Sequence, residues 1–325
     1  MKGVKIISTG YYIPEKILTN QDLEKMVDTS DEWITTRTGI KERRIADEKD
    51  AVSDLAIKAA RKAIEKSGIP KEKIDLIING TFTPDYPLPA SACLVGEKLG
   101  IKNVQMFDLS AACSGFIYSL SVAYSMIKTG LSNYALVIGS EKLSAVTDWQ
   151  DRNTCVLFGD GAGCAILGAS HEEHFLSFSC GADGSYRELL YIPAGGSLNP
   201  ATEETVKNRL HFVKMEGNKT FKVAVSKMAE VARGAMKKAG ISSEDIKLVI
   251  PHQANIRIIE ALARFLNVPM EKVFVNIDKI GNCSAATVPV ALAQADEKGL
   301  LKKDDIVLLV AFGGGFTWAG AVIKW

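Results

Sequence analysis

Three residues of this chain have types and surroundings suited to covalent chemistry: Cys113, His252 and Asn282. Cys113 lies where an apolar, strand-like run, Val104–Leu109, gives way through Ser110-Ala111-Ala112-Cys113-Ser114-Gly115 to apolar positions at helical spacing through Ile127. A thiol at that junction faces the first free N–H groups of a helix, whose positive end favours a thiolate. Its small neighbours leave room for a carbonyl group to approach the sulfur. The competing reading is a structural Cys buried at a tightly packed helix start. His252 follows the apolar run Leu248–Ile250 in Pro251-His252-Gln253-Ala254-Asn255, so it ends a strand beside a rigid proline. Asn282 stands in Ile280-Gly281-Asn282-Cys283-Ser284. A lone His is more often a satisfied structural residue, and Asn after Gly also suits a turn. Taken together, a nucleophile, a neutral nitrogen and an amide donor suit acyl transfer through an oxyanion or an enolate. His171, His174 and His211 fall in a polar stretch and are weaker candidates.

The elements that must position these residues alternate along the chain. Strand-like runs at Val4–Ser8, Leu76–Asn79, Val104–Leu109, Tyr134–Ile138, Cys164–Leu167, Leu248–Ile250, Val273–Asn276, Ile306–Phe312 and Ala319–Ile323 are separated by helical segments, which indicates α/β layers around buried sheets. Ser53–Ser67 has a helical apolar period and stops at Gly68, a C-cap residue. That helix has a twin. At an offset of 172, Arg61, Lys66, Gly68, Ile74 and Leu76 pair with Arg233, Lys238, Gly240, Ile246 and Leu248. Continued with a two-residue slip, the comparison sets Cys113-Ser114 against Cys283-Ser284, and Ala135–Ser140 against the strand entering Gly313. The chain therefore reads as an internal duplication, with halves 1–170 and 171–325, whose strand ends converge on one pocket. Two insertions interrupt the symmetry, Asp28–Asp50 and Ser170–Lys219, and both read as loops of functional length.

Composition excludes several classes. With 325 residues, 47% of them hydrophobic, and a net charge of +1, the chain can fill large cores and gives no general attraction to nucleic acid or to an acidic membrane. No apolar stretch reaches spanning length and the N-terminus carries no signal-like core, which places the protein in the cytoplasm. Six Cys without paired spacing argue against a metal site or a disulfide framework. The glycine runs Phe158-Gly159-Asp160-Gly161-Ala162-Gly163-Cys164 and Phe312-Gly313-Gly314-Gly315-Phe316 lack the Lys-Ser/Thr of a P-loop. The first is read as tight packing between the halves, the second as N–H donors aimed at the pocket.

In order and spacing, Ala111–Gly115, Phe158–Gly163, Pro251–Asn255, Gly281-Asn282 and Gly313–Trp318 resemble the β-ketoacyl-acyl carrier protein synthase III family, and the resemblance runs from the first strand to Trp325. It implies the thiolase fold, an αβαβα sandwich of two duplicated halves, and a cytoplasmic homodimer with no metal and no cofactor other than its thioester substrates. It implies that Cys113 accepts an acyl group from acyl-CoA, with acetyl-CoA the expected primer. His252 and Asn282 would then hold malonyl-acyl carrier protein during decarboxylation, the His252 ring N–H and the Asn282 amide steadying the enolate. The backbone N–H groups of Cys113 and Gly314 would form the oxyanion hole. By the same resemblance Trp33 and Arg152 sandwich the adenine of CoA, Arg37 meets its phosphates, and Thr29, Asn218, Phe221 and Asn255 line the pantetheine tunnel. Leu88, reaching into the partner, Leu157 and Phe312 shape the acyl pocket. Gln253, Ala254, Asn255, Ile256, Arg257 and Lys222, with Arg264, receive the acidic carrier. The Cys-His-Asn set argues against the Cys-His-Cys of thiolases, leaving Cys283 as a small apolar neighbour. The alternatives are a thiolase-fold synthase using another starter in secondary metabolism and a non-catalytic acyl-binding protein.

Overall fold

The apolar runs become two sheets, each buried on both faces, which is why their strands read as continuous hydrophobic segments rather than alternating ones. The computed structural model describes residues 3–325; Met1 and Lys2, at the start of the segment read as lacking a signal core, lie outside the described residues. The first sheet has the order Gly3–Tyr12, Asp160–Ser170, Tyr134–Lys142, Leu76–Gly80, Gln105–Leu109. The second has Phe175–Ala182, Thr317–Lys324, Ile306–Gly313, Ile246–Pro251. All five strands of the first sheet come from residues 3–170 and all four of the second from 175–324.

Between the sheets lie the helices Gly115–Lys128 and Thr287–Glu297. Phe116, Ile117 and Leu120 of one and Val288, Ala291 and Leu292 of the other share a core with Leu76, Ile78 and Val137 of the first sheet and Leu248, Ile250 and Leu309 of the second. The opposite strand faces meet the outer helices. Ile77, Leu136 and Ile138 pack on Val52–Ser67 and Ser91–Leu99; Val249, Leu308 and Val310 pack on Gly217–Ala239 and Ile256–Leu266. The order of layers is helix, sheet, helix, sheet, helix.

The duplication keeps the offset of 172 at the helix caps and turns that position the site. Gly68 and Gly240 close equivalent helices at φ +65° and +68°, and Ala112 and Ser284 both stand at φ +46°, again 172 residues apart (68 to 240, 112 to 284). The two-residue slip is therefore not present. The counterpart of Cys113 is Ala285 rather than Cys283, because the turn before each central helix keeps its length in both halves. Three other expectations change. The segment read as an unpatterned insertion after Ser170 opens with the strand Phe175–Ala182, the counterpart of Gly3–Tyr12. Val273–Asn276 forms only the isolated bridge Val249–Val273, in the place that Gln105–Leu109 occupies in the first half. Asp28–Asp50 is not a loop: it contains the helix Asp31–Thr38 and a short strand, Glu42–Arg44, paired with Ile17–Thr19. Among the described residues no helix is long and apolar enough to cross a membrane.

The first glycine run does seat one half on the other. A Cβ on Gly163 would stand 2.5 Å from the Val290 nitrogen and 2.7 Å from the Pro289 carbonyl carbon, and one on Gly159 would stand 2.6 Å from the Ile280 oxygen. Backbone atoms cannot step aside as a flexible side chain can. Gly163→Ala is expected to destabilise the protein by about 3 kcal/mol, while Gly184→Ala, with nothing within 4 Å, should be close to neutral. Urea midpoints for the two variants check this, and equal midpoints would contradict it.

Candidate active site

Cys113 leaves the strand Gln105–Leu109 through a single 3-10 turn, Ala112–Ser114, directly before the central helix. The turn needs Ala112 at positive φ, a conformation that a small side chain tolerates. The second glycine run packs against it: a Cβ on Gly313 would lie 2.5 Å from the Cys113 nitrogen. The backbone N–H groups of Cys113 and Gly314 are both directed at the sulfur. These are the two groups expected to form the oxyanion hole.

One cavity of about 410 Å³ is lined by Cys113, His252, Asn282, Phe312 and Gly313, so the two halves do deliver the three candidate residues to one place. His252 is 2% exposed. Its backbone N–H donates to the Val310 carbonyl at 2.7 Å, and its Nδ1 lies 2.6 Å from Thr287 Oγ1. The Asn282 Oδ1 accepts the Ser284 N–H at 2.9 Å, which fixes the amide plane and leaves Nδ2 as its free donor. Cys283 is fully buried, donates to the Asp160 and Ile280 carbonyls and stays out of this cavity. That agrees with its reading as an apolar neighbour.

Electrostatics correct one expectation. Burial pushes the Cys113 thiol up to about 12, outweighing the N–H groups and the Ser284 hydroxyl that favour a thiolate. Burial also brings His252 down to about 3. The pair at rest is a neutral thiol beside a neutral imidazole, not an ion pair.

The same cavity continues toward the surface past Asn218, Phe221, Asn255, Arg37 and Trp33, all expected along the CoA path. Asn255 Nδ2 donates to the Arg37 carbonyl at 2.9 Å, which ties the two halves together at the rim. Thr29 does not line the cavity. The Arg152 guanidinium carbon sits 4.3 Å from the Trp33 ring centroid, so the expected adenine slot is closed and Arg152 must lift to admit a base. Leu157 and Phe312 line this channel rather than the opposite side of Cys113. There a second cavity of about 310 Å³ is walled by Phe82, Phe158, Leu190, Ile192 and Val213. Three of these come from the stretch 170–219, whose lack of periodicity hid them. Leu88 is 85% exposed and borders neither cavity.

Of the residues expected to receive the carrier, Lys222, Arg257 and Arg264 are exposed. Ala254, Asn255 and Ile256 are half-buried, with the Ile256 side chain pressed over Gly39. Gln253 is a correction. It is fully buried, donates to the Pro251 and Phe274 carbonyls and accepts from the Asn276 N–H, so it braces the His252 loop and reaches no partner.

Sequence reading missed Glu141, a carboxyl with no exposed surface, whose one signal was a charge ending an apolar strand. Its Oε2 accepts from the Thr81 and Thr83 hydroxyls at 3.1 and 2.6 Å. Burial raises its pKa from 4.5 to about 7, against the pull of those donors. A raised carboxyl favours the fold while protonated. Its stabilising effect is full below about pH 4.5 and is lost as pH rises through about 7, by on the order of 3 kcal/mol. Glu141→Gln should therefore match the wild type near pH 4.5 and exceed it in melting temperature at pH 8. A constant difference across that range would contradict the assignment.

Comparison with known proteins follows the same architecture. Residues 107–184 match the family described as 3-Oxoacyl-[acyl-carrier-protein (ACP)] synthase III, and residues 236–325 match its C-terminal region. A Beta-ketoacyl-[acyl-carrier-protein] synthase III from Natranaerobius thermophilus is 54% identical over 329 residues, covering 100% of both chains. The same enzyme from Fusobacterium nucleatum is 52% identical, covering 100% of this chain and 99% of its own. The crystal structure of 3-oxoacyl-[acyl-carrier-protein] synthase III from Aquifex aeolicus superposes with a TM-score of 0.92 at 50% identity, covering 99% of this chain and 100% of that one. The chain belongs to the β-ketoacyl-acyl carrier protein synthase III family and has its thiolase fold.

Proposed function

We propose that this protein starts fatty acid synthesis by decarboxylative Claisen condensation of an acyl-CoA primer, acetyl-CoA in the first instance, with malonyl-acyl carrier protein. The products are a 3-oxoacyl-acyl carrier protein, CoA and carbon dioxide. The observation that carries the reading is the shared cavity, in which Cys113 from the first half faces His252 and Asn282 from the second at the end of a channel open to solvent. Cys113 attacks the primer thioester, and the N–H groups of Cys113 and Gly314 receive the oxyanion. CoA leaves and malonyl-acyl carrier protein takes its place. Loss of the carboxylate leaves an enolate held between Asn282 and His252, with Phe312 excluding water. The carbanion attacks the Cys113 thioester. The chemistry needs no further cofactor, since both thioesters are substrates.

The channel serves both donors in turn. CoA would stack on Trp33 with Arg152 lifted away and Arg37 near its phosphates, its pantetheine passing Asn218, Phe221 and Asn255. The exposed cations Lys222, Arg257 and Arg264 at the mouth suit an acidic carrier. Six free cysteines fit a reducing cytoplasm. A homodimer is proposed across the edge strand Gln105–Leu109, whose Phe107 and Leu109 are only partly buried, with exposed Leu88 crossing to floor the partner's primer pocket. Sedimentation should give a particle of twice 35.1 kDa, and a 35.1 kDa species at micromolar concentration would exclude this arrangement.

Mass spectrometry after incubation with acetyl-CoA should find an acetyl group on Cys113 that is absent from Cys113→Ala; an adduct that survives the substitution would remove the nucleophile. Asn282→Ala should acylate at near the wild-type rate but lose about a hundredfold or more in decarboxylation. Equal loss in both steps would show its role misassigned.

A further inference from the structure

We propose that the Ser284 hydroxyl relays a proton between the Cys113 sulfur and the Glu141 carboxyl, with Glu141 as the group that takes the thiol hydrogen and later returns it. The inference starts from two orphaned atoms. Ser284 Oγ and Glu141 Oε1 are both buried, and neither closes a hydrogen bond in the resting protein. Glu141 Oε2 is engaged by the Thr81 and Thr83 hydroxyls at 3.1 and 2.6 Å and by the Phe82 N–H at 3.3 Å, so the carboxyl is held with Oε1 as its open side. The Ser284 hydroxyl stands next to both the Cys113 sulfur and that carboxyl, where it favours the anion of each. With Cys113 it also lines the second cavity. A hydroxyl accepts and donates at once, which is what a relay needs. The fold itself requires neither group. At the offset of 172, Ser284 corresponds to Ala112, which makes the same turn at φ +46° without a hydroxyl, and Glu141 corresponds to Gly313 (112 to 284, 141 to 313). A buried carboxyl and an unpartnered buried hydroxyl each cost stability, and here both stand against the nucleophile.

A buried neutral thiol needs an acceptor for its proton, and the relay supplies one while leaving His252 and Asn282 to the enolate. Resting on the reading of Cys113 as the acyl acceptor, the sulfur bonds to the primer carbonyl carbon as its hydrogen passes to Ser284 Oγ and the Ser284 hydrogen passes to Glu141 Oε1. The tetrahedral adduct collapses, the carbon–sulfur bond to CoA breaks, and CoA leaves as a thiolate that takes a proton from solvent in the channel. When the carbanion attacks the Cys113 thioester, the sulfur departs with its electron pair and the same two hydrogens move back. The thiol is restored and Glu141 is again ionised, so each turnover draws one proton from solvent. Burial leaves the Glu141 pKa at about 7, where a carboxyl can both gain a proton and give it back. The titratable groups facing Glu141 are the thiols of Cys113 and Cys283, one near the start of each central helix. Lys142 and Asp160, neighbours along the paired strands, use the opposite face: Lys142 reaches the Asp47 and Asp50 carbonyls, and Asp160 accepts the Ala46 and Ser144 N–H groups.

The test follows modification of Cys113 in the full protein by mass spectrometry between about pH 5 and pH 9, once with acetyl-CoA and once with iodoacetamide, which needs no acyl transfer. In the wild type both rates should rise with pH through about 7 as Glu141 ionises. Glu141→Gln and Ser284→Ala should each slow both reactions roughly a hundredfold near pH 7 and lose that rise. Neither variant is expected to unfold: the first should gain melting temperature at pH 8, and the second carries the residue that its counterpart Ala112 already has. Variants that keep the wild-type rates would overturn the proposal. So would slower variants that keep the wild-type rise with pH, since their loss would then be structural. Alkylation that depends on Glu141 and Ser284 as stated, with no acetyl group on Cys113 in the wild type, would support the relay and remove instead the reading of Cys113 as acyl acceptor.

Discussion

Backbone meets backbone at the seam between the two halves, and the cavity depends on that contact. Gly139 faces the Ala285 carbonyl, Gly163 the amide of Val290 and Gly313 the amide of Cys113, each too close for a side chain. Close approach of this kind removes water, lets the two central helices share one core with both sheets, and brings the turn before each central helix beside the other. Cys113 belongs to one turn, while Asn282 and Ser284 lead into the other. A seam one methyl group wider would separate the nucleophile from its partners before it exposed any core residue.

The burial that makes this geometry also sets its electrostatics. Cys113, His252 and Glu141 all favour their neutral forms, because no cation lies close enough to repay the desolvation of a charge. A helix start directs N–H groups at the sulfur, yet in a closed cavity desolvation exceeds that attraction. At rest the site therefore favours neutral groups over a standing ion pair. The turn at Ser284 fits such a site, since its backbone N–H fixes the Asn282 amide without introducing charge.

Much of this was legible in the residues. The Cys113 junction, the strand-end His252, Asn282 after Gly281 and the helix twins ending at Gly68 and Gly240 are local patterns, fixed by turn chemistry and apolar period. The insertions were less legible. Phe175–Ala182 is a sheet edge whose half-exposed residues weaken the strand signal, and Leu190, Ile192 and Val213 become cavity wall only where the chain folds back over Cys113.

The sequence by itself determined the alternation of strands and helices, the duplication and the identity of the three central side chains, because these rest on spacing along one chain. Tertiary structure alone decided that the offset stays at 172 without a slip, that Gln253 turns inward, that Arg152 rests on Trp33, and that Glu141 and Thr287 stand beside the site. Each of these depends on which groups burial brings together and how far it strips them of water, and neither distance nor desolvation is written in the spacing of residues.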